Sequence, residues 1–172
     1  MSDNYFEHFG IEVGFQIDLE ALRKKYLNIS RNHHPDYAAG DDAAYEQALL
    51  MTSLNNQAYK TLSDFDERIK YVLEHLGHPI STDDKLDPEF LMEMMEWNER
   101  IMEAGMEEPE QIQTLSNDFQ GLEEGFQQRM EAAIKAFETK HDDAELGRIK
   151  EIYLQRKYLL RLRTSIDKFA RL

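Results

Sequence analysis

The chain of 172 residues contains no cysteine, only four prolines and a single tryptophan, and none of its apolar runs approaches the roughly 18 residues that a membrane-spanning helix needs. Without cysteine there is no disulfide framework, no thiolate nucleophile, and no cysteine-ligated zinc or iron–sulfur cluster in this chain. Cluster chemistry, if there is any, belongs to a partner. Basic residues are also scarce: 20 Lys and Arg face 34 Asp and Glu, a formal net charge of −14. A phosphate backbone is held chiefly by Lys and Arg, so nucleic acid is excluded as a partner over most of the surface. The stretch from Met1 to Gly10 carries acids and aromatics, with neither a basic start nor an apolar core. It does not read as a secretory signal, and a cytoplasmic location is the expectation.

What is present is unevenly spread. Residues 1–82 hold 7 basic and 13 acidic side chains, residues 83–147 hold 5 and 19, and residues 148–172 hold 8 and 2. The basic last segment is expected to pack against the acidic middle one. The prolines stand at 35, 79, 88 and 109, and the sequence between them is rich in helix formers with apolar residues three and four apart. The fold class is therefore all-α.

A short helix is expected over about Asn4–Phe9, stopped by Gly10. The next starts with Asp18 as N-cap and repeats Leu19, Leu22, Tyr26 and Ile29 on one face. Pro35 ends it near His34, because proline disfavours helical geometry in the residue before it and has no N–H to donate. Asp41 or Asp42 can cap a third helix, with Tyr45, Leu49, Leu54, Ala58 and Leu62 as its buried face. A fourth runs from about Asp66 to Leu76, with Ile69, Val72, Leu73 and Leu76 inward and Gly77 as its stop. Residues 77–88, GHPISTDDKLDP, are dense in turn formers and lack periodicity, which places the domain boundary there. Beyond it, Asp87 and Pro88 form a helix start. Phe90, Met94, Trp97 and Ile101 line one helix to Gly105. Ile112, Leu115, Phe119, Leu122, Phe126, Met130, Ala133 and Phe137 line a second from near Pro109. Ile149, Ile152, Leu159, Ile166 and Phe169 line a third from about Asp143. Short loops between them imply an antiparallel three-helix bundle.

None of the six histidines lies in a nucleophile elbow, and no glycine-rich phosphate loop exists, so no catalytic residue is assigned. His75 and His78 share a helix end at i, i+3 spacing. A metal site needs a third ligand that nothing nearby supplies, and neither a metal nor a cofactor is expected.

The stretch RNHHPDYAAGDD, Arg31–Asp42, joins two helices with matching apolar faces. On the residues alone, His34, Pro35 and Asp36 are either an ordinary turn or a tripeptide shown to another protein at the tip of a rigid hairpin. The helix before it bears Arg23, Lys24, Lys25 and Arg31 against only Asp18 and Glu20. A basic face ending in an acidic tip suits an acidic surface that offers a basic residue to Asp36.

NYFEHFGI, then a basic amphipathic helix, then HHPD, then LNNQAYKTLSD, resembles a J-domain over about residues 3–76. J-domains are the modules by which co-chaperones stimulate ATP hydrolysis in heat-shock chaperones of the seventy-kilodalton class. The resemblance makes His34, Pro35 and Asp36 the activating tripeptide, with Asp36 engaging an arginine of the chaperone's ATPase domain, and makes Arg23 and Lys24 part of the docking helix. Leu27, Asn28 and Tyr37 stand where many members are basic, which implies a dedicated chaperone.

The chain lacks the Gly/Phe-rich linker and cysteine repeats of generic members and passes directly to an acidic helical bundle. With DPEFLMEMMEWNERIME, that layout resembles the HscB family, J-type co-chaperones of iron–sulfur cluster assembly. The resemblance implies an L-shaped molecule and two partners: an HscA-like chaperone and an IscU-like scaffold. The residues agree. With Phe90, Met94, Trp97 and Ile101 facing the core, Leu91, Met92 and Met95 fall on a second apolar strip that one helix of a three-helix bundle cannot also bury. Glu96, Glu99 and Glu103 continue it as acids able to set a partner's orientation. The family's scaffold patch maps onto these six residues together with Tyr158. The domains expected are a J-domain at 1–76, a linker at 77–88 and a scaffold-binding bundle at 89–172, and the expected state is a monomer. Two other readings stay open: a J-domain adaptor for a different client, and a metal-binding or catalytic helical protein.

Overall fold

The computed structural model describes residues 4–38, 40–106 and 109–170. Among them are seven α-helices and no strand. The chain divides into two compact units, Met1–Pro79 and Ile80–Leu172.

In the first unit, the Asn4 side chain accepts from the Phe6 N–H and starts α1, Tyr5–Phe9. Gly10 ends it at φ 55°, in the left-handed region that glycine enters without a Cβ penalty. Asp18 caps α2, Leu19–Asn32, accepting from the N–H groups of Glu20 and Ala21. Pro35–Ala38 form a 3-10 turn. Asp41 then caps α3, Asp42–Ser63, and Asp64 caps α4, Phe65–His75. Gly77, at φ 86°, lets the His78 N–H return to the Leu73 carbonyl at 2.8 Å and close α4.

Helices α2 and α3 are antiparallel, because Tyr26 stacks on Tyr59 with ring centroids 4.3 Å apart while Thr52 donates to the His33 carbonyl further toward the tip. Between them Asn55 is almost wholly buried and fully bonded. It donates to the Tyr26 carbonyl and Ser30 Oγ, and its Oδ1 accepts from His8 Nε2 at 3.0 Å. Phe6, Phe15, Leu22, Ala58, Leu62, Ile69, Val72 and Leu73 make the core. Two expectations for α3 are corrected: Tyr45 and Leu49 are exposed, and Ala48 is the residue buried on that stretch. Leu19, expected inward on α2, is exposed as well.

The second unit is a three-helix bundle of α5, Pro88–Met106; α6, Ile112–Lys140; and α7, Asp143–Phe169. Asp87 caps α5 through the Glu89 N–H, and Pro88 takes the first helical position, where its missing N–H has no partner to lose. Pro109 opens a 3-10 turn rather than α6 itself, which begins at Ile112. His141, at φ 52°, closes α6 in the place a glycine usually holds. Phe90 meets Phe126 and Trp97 meets Phe119, so α5 and α6 run antiparallel. Phe90 also meets Tyr158, and Phe169 lies against Gly105, so α7 runs parallel to α5. The basic last helix does pair with the acidic residues before it: Arg163 Nε binds Glu123 at 3.0 Å and Lys150 Nζ binds Asp84 at 2.7 Å.

Candidate partner-binding surfaces

At the tip of the α2–α3 hairpin, His34 and Asp36 are both exposed. Pro35 cannot donate a backbone hydrogen bond, so the chain leaves the helix there, and the 3-10 turn is closed by the Tyr37 N–H on the His34 carbonyl at 3.0 Å. The Asp36 N–H donates to His34 Nδ1 at 3.3 Å, and the Asp36 carboxylate lies 3.5 Å from the same nitrogen. The tripeptide is thus a self-bonded knuckle, held at its base by Thr52. The Tyr37 ring stands edge-on to His34 and is itself exposed. A hollow of about 330 Å³ beside the knuckle is lined by His33, His34, Tyr37, Gln47 and Ala48 among others.

On α2, Arg23, Lys24 and Arg31 are exposed. Lys25, expected on the same docking face, is turned elsewhere. Its Nζ donates to the carbonyls of Phe9 and Gly10 at 2.8 and 3.1 Å, satisfying the C-terminal end of α1 and tying it to α2. Periodicity along one helix does not reveal such a contact, because it depends on where α1 packs.

In the bundle, Phe90, Met94 and Ile101 are buried and Trp97 is half-buried. The remaining face of α5 carries the strip. Leu91 is half-buried, Met92 and Met95 are 65% and 61% exposed, and Glu96, Glu99 and Glu103 are exposed. Tyr158 is half-buried with its ring edge-on to Phe90 at 6.1 Å, which places it beside the N-terminal half of α5. Leu154, one turn earlier on α7, is also half-buried and shares that face with Tyr158. Its signal in the sequence is the four-residue step to Tyr158. Among the described residues no three His, Asp or Glu are grouped to hold a metal, and no helix is long and apolar enough to cross a membrane.

A helical hairpin carrying His-Pro-Asp at its tip, followed by a helical bundle without cysteine, is the architecture of a J-domain co-chaperone. Comparison with known proteins gives the family. Residues 86–167 match the family described as the HSCB C-terminal oligomerisation domain. The chain is 33% identical over 166 residues to the co-chaperone protein HscB homolog of Acinetobacter baylyi, covering 96% of this chain and 90% of that protein. It is 36% identical over 124 residues to the HscB homolog of Neisseria meningitidis, covering 70% and 75%. The crystal structure of human co-chaperone protein HscB matches with a TM-score of 0.79 at 26% identity over 96% of this chain and 81% of that one. Chaperone HscB from Vibrio cholerae shares the fold, with a TM-score of 0.74 at 23% identity over 96% of both chains. The chain belongs to the HscB co-chaperone family.

Proposed function

We propose that this chain, as an HscB-type co-chaperone of iron–sulfur cluster assembly in the cytoplasm, carries an IscU-like scaffold to an HscA-like chaperone and stimulates that chaperone's ATPase. The J-domain, residues 1–76, docks the chaperone through Arg23, Lys24, Arg31, His34, Pro35 and Asp36. The bundle, residues 89–172, holds the scaffold through Leu91, Met92, Met95, Glu96, Glu99, Glu103 and Tyr158, and residues 77–88 link the two. Asp36 offers a carboxylate to an arginine of the ATPase domain, and His34 orients it. Hydrolysis occurs in the chaperone, and this chain supplies no catalytic group.

The observation that carries this reading is the solvent-facing Met92–Met95 strip on a helix whose opposite face, Phe90, Met94 and Ile101, is already filled by the bundle. An exposed His-Pro-Asp tip suits J-type co-chaperones in general, whereas the strip calls for a client. Methionine adapts to irregular apolar surfaces, and the acids beside it select a basic-edged partner. One chain holding both partners raises the scaffold's effective concentration at the chaperone.

The test is the steady-state ATPase of the purified chaperone with and without scaffold. Wild-type chain should raise turnover, and scaffold should raise it further. Chaperone stimulation without any scaffold binding would instead make the chain an adaptor for a different client.

A further inference from the structure

Four methionines of α5 are exposed, whereas Met94 and Met130 are fully buried. Met92 and Met95 belong to the strip already described. Met102 and Met106, at 43% and 71% exposure, have no part in it, nor in the core. Leu91, Met95, Met102 and Met106 follow one another in steps of four, seven and four residues, which keeps them on one side of a 3.6-residue helix. They form one stripe from the first turn of α5 to its end, about 22 Å at 1.5 Å per residue. Phe169 of α7 packs against Gly105, one turn beyond Met102, so the far end of the stripe borders the α5–α7 seam as its near end borders Tyr158.

We propose that the scaffold-binding face of α5 runs to Met106, and that Met102 and Met106 form its second apolar anchor pair. The proposal rests on the reading that the scaffold binds α5. Its occupant is a segment of the scaffold with an apolar stripe of about four turns' length and basic side chains along one edge.

The chemistry of the edge selects that occupant. Glu96, Glu99 and Glu103, in steps of three and four, form an exposed acidic row alongside the stripe. Arg100 is the one basic residue of α5, and it is turned to the other side, 3.5 Å from Asp118 of α6 with its guanidinium over the Trp97 ring. None of the ion pairs among the described residues reaches the row, which is thus open to cations from a partner. A second copy of this chain would set the acidic row against itself, in a segment that already carries 19 acids against 5 bases. Like charges facing each other across an interface work against that pairing.

Calorimetric titration of the full chain with the purified IscU-like scaffold of the same organism tests the proposal. Met102→Ser with Met106→Ser should weaken binding about tenfold, as expected of interface anchors, with helix content and Tm held because both side chains are exposed. Met92→Ser with Met95→Ser should weaken it at least as much. If the first pair leaves the affinity unchanged while the second lowers it, the stripe ends at Met95 and this proposal is overturned with the scaffold reading intact. If wild-type chain does not bind the scaffold, both fall. A second measurement needs no substitution: hydrogen peroxide converts exposed thioethers to sulfoxides, and bound scaffold should protect Met102 and Met106 in a mass spectrum. Equal oxidation with and without scaffold, or protection in the concentrated chain alone by self-association, overturns the proposal.

Discussion

His34 Nδ1 accepts the backbone N–H of Asp36 at 3.3 Å and sits 3.5 Å from the carboxylate of the same residue. The imidazole therefore fixes the backbone of the acid that would meet the chaperone, and the carboxylate stands beside the ring. Replacing it by glutamine, in His34→Gln, removes the ring nitrogen that holds the turn, and the Asp36 carboxylate loses its bearing. Chaperone ATPase assays should show stimulation abolished, and titration with scaffold should show affinity unchanged. Normal stimulation by this variant would make the tripeptide a plain turn.

Leu91, Met92 and Met95, replaced together by serine, should cost scaffold binding several kcal/mol, roughly the scale of a hot-spot cluster. The same variant should keep its basal stimulation of the chaperone. Stability gives the internal check, since two of the three side chains lie mostly in solvent. A large drop in Tm with no loss of affinity would place the strip inside the fold.

Arg68 ties the J-domain together from within. Its guanidinium donates through Nε to the Phe15 carbonyl at 2.9 Å and through Nη1 to the Leu62 carbonyl, and it lies over the Phe65 ring. Burial lowers its pKa, against which the Asp64 charge raises it. Arg68→Met leaves those carbonyls without a donor, and chemical denaturation should register a loss of about 2–4 kcal/mol. Scaffold affinity should not change, because the bundle lies in the other unit.

Acid should loosen the bundle at a defined contact. The side-chain hydrogen bond from Lys150, helped by the Ser81 N–H, holds the Asp84 carboxyl below its ordinary value. A depressed carboxylate pKa contributes stability that is present above the unfolded value, near 3.9, and is lost as pH falls through the lower folded value. Thermal melts of wild type and Asp84→Asn should therefore differ at pH 7 and converge as the pH falls below the ordinary carboxylate range. A difference that persists undiminished in acid would show that the pair is not the cause.

Much of this architecture could be read from local chemistry. Asp18, Asp41 and Asp87 announce helix starts, Gly10 and Gly77 announce stops, and Pro35 fixes the tip, because each acts on backbone groups within a few residues. The exposed strip was also legible, since Phe90, Met94 and Ile101 already occupied the inward face of α5. The misses are long-range. Tyr45 and Leu49 lie to the side of the α3 face that buries Ala48, Asn55, Ala58 and Leu62, and so stand in solvent. Lys25 looks like part of a basic face until α1 packs beside it and gives it two carbonyls. Arg68 and Asn55 are polar by type, yet each is buried among partners from distant parts of the chain. Met102 and Met106 carry the same period as Met95 and continue its strip toward the end of α5.

Delivery by a single chain is tested most directly by dividing its two arms between two molecules. Chaperone ATPase is measured with scaffold and either wild-type chain or an equimolar mixture of Asp36→Asn and the Leu91, Met92 and Met95 serine variant, each at the wild-type concentration. The mixture contains one working J-domain and one working bundle, but never in the same molecule. With scaffold present it should stay well below wild type at sub-saturating concentrations, because the tether that concentrates scaffold at the chaperone is gone. Equal turnover from the mixture and the intact chain would contradict the account.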